Sequence, residues 1–63
     1  MNWNTESLRA GITLEVANDS MGVMGVRGTW HRVLEGSAVV LTTRNRGDAL
    51  RTFQRLAFKA SGA

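Results

Sequence analysis

Leu8-Arg9-Ala10-Gly11-Ile12-Thr13-Leu14-Glu15-Val16-Ala17 decides the fold class, because its apolar residues alternate. Leu8, Ala10, Ile12, Leu14 and Val16 fall on one parity, and Arg9, Thr13 and Glu15 on the other. Side chains of a strand point to opposite faces in turn, so this alternation predicts a half-buried strand over 8–17. Asn18-Asp19-Ser20 follows. These residues bond their own backbone and favour turns, so a hairpin loop ending near Gly22 is expected.

The next segment, 23–34, is rich in β-branched and aromatic residues, with Gly25 and Gly28 inside it. A glycine within a strand marks a bulge or a close backbone approach. Glu35-Gly36 then reads as a tight turn, since Gly36 can take positive φ. It is followed by a third strand over 37–44. A two-residue turn there would pair Leu34 with Ser37, Arg32 with Val39 and Trp30 with Leu41. Trp30, Val26, Val39 and Leu41 would then share the apolar face of the first strand. Arg9, Thr13, Glu15, Arg27, Thr29, His31, Val33, Val40, Thr42 and Arg44 would lie on the other face. A slip of one residue exchanges the two sets.

The pattern changes period after Arg44. Ala49, Leu50, Phe53, Leu56, Ala57 and Ala60 recur at helical spacing, which predicts a helix over 46–60. Asn45 is its candidate N-cap, Asp48 suits the positive end of its dipole, and Gly62 stands where a stop belongs. The expectation is an α+β domain: a three-stranded antiparallel sheet with one C-terminal helix on one face.

Composition bounds what such a domain does. Sixty-three residues form one domain, 1–63. A chain this short has a marginal core and commonly relies on a disulfide, a metal or a partner subunit. There is no cysteine and one histidine, so no metal and no cofactor are expected, and self-association is the remaining support. The N-terminus lacks a basic region followed by an apolar run, and no apolar stretch is long enough to span a bilayer. A cytoplasmic location without membrane contact is expected.

The net charge of +3 is unevenly placed. Arg44, Arg46, Arg51, Arg55 and Lys59 face only Asp48 within 37–63, a local charge of +4. Arg51, Arg55 and Lys59 are spaced i, i+4, i+8 and line one side of the helix. Such asymmetry suits a polyanion, and the arginine fork suits phosphate. A helix face that is merely solvated gives the same pattern. Arg27, His31 and Arg44 form an alternative binding set on the sheet. Trp3 and Phe58 fit the predicted core poorly, so they either cover each other or form a contact for a protein partner.

His31 is the lone candidate general base, and the spacing places no carboxylate and nucleophile beside it. The chain is therefore expected not to be an enzyme. Gly22, Gly25 and Gly28 lack the lysine and the following helix of a phosphate loop. The strand–strand–strand–helix order, closing on Gly47-Asp48-Ala49-Leu50-Arg51, resembles two nucleic-acid folds in topology and charge. One is the DNA-binding domain of tyrosine integrases and plant ethylene-response factors. The other is the C-terminal part of double-stranded-RNA-binding domains, although the lysine cluster at that helix start is absent here. The expected function is a small nucleic-acid-binding accessory protein of phage or mobile-element type. The alternative is a protein-interaction module, either a homodimer or an inhibitor of a larger enzyme.

Overall fold

A computed structural model describes residues 2–23 and 26–62, with side chains for 2–18 and 28–62. Its elements are β1 (Asn4–Arg9), β2 (Ile12–Val23), β3 (Val26–Glu35), β4 (Ala38–Thr43) and α1 (Arg46–Ala60). The strands form one four-stranded antiparallel sheet in the order β1-β2-β3-β4, with α1 on one face. The α+β class and the C-terminal helix are as expected. The count of three strands is corrected to four, and the three-strand resemblance goes with it.

The extra strand comes from a turn hidden inside the alternating stretch. Ala10 and Gly11 both take positive φ, 54° and 80°. Two consecutive positive φ values make a tight hairpin turn whose hand matches the strand twist. Arg9 then pairs with Ile12 and Leu8 with Thr13. Because paired residues share a face, the turn reverses the parity. Leu8 is 68% exposed, while Ile12 and Leu14 are buried.

The turn expected at Asn18-Asp19-Ser20 moves. Asn18 and Asp19 lie within β2, opposite Thr29 and Gly28, and the last pair is Val23 with Val26. The connection falls on residues 24–25, outside the described residues. The Asn18 Oδ1 accepts a hydrogen bond from Thr29 Oγ1 at 3.4 Å, so the polar side chain serves the ladder instead of a turn.

The third turn slips by one residue. Glu35 pairs with Ala38, leaving Gly36 (φ 61°) and Ser37 in the turn. The Gly36 N–H donates to the Gly11 carbonyl at 3.1 Å, tying the two turns together. The faces of β3 are set by its pairing with β2, where Leu14 lies opposite Val33 and Val16 opposite His31. His31 and Val33 look toward the helix, while Trp30, Arg32 and Leu34 lie on the open face. Val39 is likewise outward, corrected from the expected core position, whereas Leu41 is inward as expected. Each edge strand carries one extra residue. Glu6 is the unpaired residue of a bulge in β1, between Thr5 and Ser7. Val40 is the unpaired residue of β4, between Val39 and Leu41.

The core joins Ile12, Leu14 and Val33 of the sheet to Ala49, Phe53 and Ala57 of the helix, flanked by Leu41, Leu50 and Leu56. Burial of each large apolar side chain contributes about 1.5–3 kcal/mol. The helix begins as expected: the Asn45 Oδ1 accepts from the Asp48 N–H at 3.1 Å. It ends where the Ser61 N–H bonds the Ala57 carbonyl and Gly62 takes φ 81°. Among the described residues no helix is long and apolar enough to cross a membrane.

Candidate functional surfaces

The five cations of the C-terminal segment do not form one surface. Arg51, Arg55 and Lys59 are exposed on the helix and form no ion pair among the described residues. Phe58, 65% exposed, stands beside Arg51 on the same outward side. Arg46 is withdrawn from this set, because its guanidinium pairs with Glu6, the bulge residue of β1. That hydrogen bond, together with the positive charge, holds the Glu6 carboxyl below its usual range against the opposing effect of burial. The bulge is therefore what carries a carboxylate to the first turn of the helix.

Arg44 belongs to the opposite side of the molecule. It follows β4 and lies over the Trp30 ring, 5.1 Å from its centroid. It also crosses Gly28: a Cβ on that residue would meet the Arg44 guanidinium at 1.8 Å. What approaches Gly28 closely is therefore the Arg44 side chain, not another stretch of backbone. A second stack stands beside it. Arg32 covers the Trp3 ring at 4.2 Å and pairs with Glu15 at 2.5 Å.

The open face is ordered in three rows across the sheet. The first is Leu8·Thr13·Leu34·Val39 and the second is Thr5·Glu15·Arg32·Thr42. The third is Ala17·Trp30, flanked by Trp3 before β1 and Arg44 after β4.

His31 does not join Arg44 on this face. It is 5% exposed on the helix side, opposite Val16 and Thr43, which corrects its expected place. Its Nδ1 and the Oε2 of Glu6 are buried without hydrogen-bond partners. Among the described residues no three metal-ligating side chains converge. The side chain of Arg27 lies outside the described residues. Trp3 and Phe58 are on opposite sides of the sheet, so they neither cover each other nor form one contact. Phe58 instead walls an open groove of about 480 Å³ with Arg9, Phe53, Gln54, Ala57 and Ser61.

The row of stacked arginines on tryptophans escaped sequence reasoning because it depends on the register of β3 on β2 and on the extra residue Val40 in β4. Comparison of the chain with protein-family models, curated proteins and solved structures finds no match.

Proposed function

We propose that the protein is a small non-enzymatic nucleic-acid-binding protein whose helix holds phosphate through Arg51, Arg55 and Lys59. The observation that carries this reading is the contrast among its cations. Arg32 and Arg46 have carboxylate partners, while the helix row is exposed and without one among the described residues. Successive members of the row stand about 6 Å apart along the helix axis. The exposed Phe58 on the same side offers a ring for a base or sugar, as aromatic side chains do on nucleic-acid-binding surfaces. The site has narrowed from the five residues expected to three, because Arg44 and Arg46 are engaged elsewhere.

Three phosphate contacts give a slope of roughly −2.7 for log K against log salt on duplex DNA. The test is fluorescence anisotropy with a labelled duplex across a salt series. Arg51→Ala with Arg55→Ala should weaken binding and flatten the slope by about 2. A salt-independent affinity, or an unchanged slope in the double variant, refutes the reading.

A further inference from the structure

The open sheet face is uncovered, and its three rows have a property that narrows what can cover it. We infer that it is the interface of a homodimer, in which two copies stack their sheets face to face and carry their helices on the outside. This inference stands on the open face alone and is independent of the nucleic-acid reading.

The need for a partner follows from the core. The helix-side cluster contains six buried residues, two of them alanine, and the chain has no disulfide. Domains of this size commonly gain their remaining stability from association. The open face meanwhile exposes Leu8 at 68% and Val39 at 50%, with Leu34 half-buried between them. The molecule measures 43 × 19 Å across its two longer axes. The open face lies within that outline and so offers at most roughly 800 Å², the area one partner contributes to a stable interface.

The choice of a second copy follows from symmetry. A two-fold interface must be complementary to itself. Place the axis between two facing sheets, parallel to the strands and midway between β2 and β3. Rotation then lays β1 over the partner's β4, and β2 over its β3, with each row over its own counterpart. In the first row Leu8 meets a second Val39. In the second row Glu15 meets a second Arg32. In the third row Trp3 meets a second Arg44. Apolar groups meet apolar groups, acid meets base, and an aromatic ring meets a guanidinium. An axis across the strands would instead set Arg32 on Arg32. The face is complementary to itself about one axis and not the other, in an aligned packing of the kind that sheets adopt at about 10 Å separation.

The test begins with light scattering on the intact chain. The expected mass is twice the 6.9 kDa of one chain. Leu8→Lys, and separately Val39→Lys, should give a folded monomer with unchanged helical circular dichroism, because neither side chain belongs to the core. The absence of native cysteine then allows the register to be read directly. Leu8 and Val39 of one chain are three strand spacings apart, roughly 14 Å. Leu8→Cys with Val39→Cys should give covalent dimers with a short thiol-specific linker, and Leu8→Cys alone should not. A wild-type monomer at every soluble concentration overturns the inference. So does a dimer that survives both lysine variants, or cross-linking by Leu8→Cys alone. Quenching of Trp3 and Trp30 by an oligonucleotide in the Arg51→Ala/Arg55→Ala variant would assign the face to nucleic acid, and likewise overturn it.

Discussion

Ala10 at φ 54° is the one non-glycine residue with positive φ among those described, and replacing it tests the hairpin that creates β1. An alanine in the left-handed region is destabilised by roughly 1–2 kcal/mol, because its Cβ crowds the following carbonyl oxygen. Asparagine enters that region more readily, and Asn-Gly is the preferred pair for this turn. Ala10 is exposed, so the substitution removes no packing. Ala10→Asn should therefore recover about half the strain, or 0.5–1 kcal/mol. For a chain of this length that is a rise in Tm of about 3–7 °C. Ala10→Gly relieves the whole strain but adds freedom to the unfolded chain, worth about 0.5–1 kcal/mol, so its net gain should match that of Ala10→Asn. Ala10→Val should melt lower than all of them, since a β-branched residue tolerates this region least. The assay is thermal unfolding followed by circular dichroism, at one fixed protein concentration because association would shift every midpoint. An Ala10→Asn protein that melts at or below wild type would refute the turn, and with it the fourth strand.

Three further outcomes follow from the surfaces. The Glu6 carboxyl has a folded pKa below its usual 4.5, so its contribution is present above that pH and is lost as pH falls through the lower folded value; unfolding midpoints measured from pH 6 to pH 2 should drop less steeply in Glu6→Gln. Arg44→Ala should cost about 0.5–1 kcal/mol through its lost stack on Trp30, and nothing in a Gly28→Ala background, where the new Cβ has already displaced the guanidinium; urea unfolding of the four proteins measures the coupling. Phe53→Ala should cost about 3–5 kcal/mol as a core truncation. Phe58→Ser should stay within about 0.5 kcal/mol as a surface change, and the same urea titration separates the two.

The helix was legible in the sequence down to its caps, because its signals are local. Asn45 needs only the N–H of Asp48, and the stripe from Ala49 to Ala57 needs only the helical period. The antiparallel sheet was legible too, but its turns were not. Ala10-Gly11 interrupts an alternating run without breaking it, since a tight turn reverses parity while leaving period two intact. Asn18-Asp19-Ser20 carries stronger turn chemistry and is nonetheless extended, with the Asn18 side chain bonded across the hairpin to Thr29. At Glu35-Gly36-Ser37 the glycine was identified and its position within the turn was missed by one. Whether Trp30 or His31 faces the helix is decided elsewhere, by the register of β3 on β2, which sets Val16 opposite His31. That register removes His31 from the open face, while the extra residue Val40 in β4 sets Arg44, expected on that face, over Trp30. The helix cations needed no such information, although no local signal announced that Arg46 would be neutralised by a residue from a bulge forty positions earlier.

The two bulges have one more consequence. An unprotected sheet edge is a template, whose free N–H and C=O groups invite another chain to add strand after strand. Both outer strands here interrupt that template, β1 at Glu6 and β4 at Val40. An incoming strand in regular register would lose its ladder at the extra residue on either side. Open-ended polymerisation through the edges is thereby discouraged, even though Val39 and Val40 sit exposed on β4. Stickiness on a flat face closes after one copy is added, whereas stickiness on an edge does not.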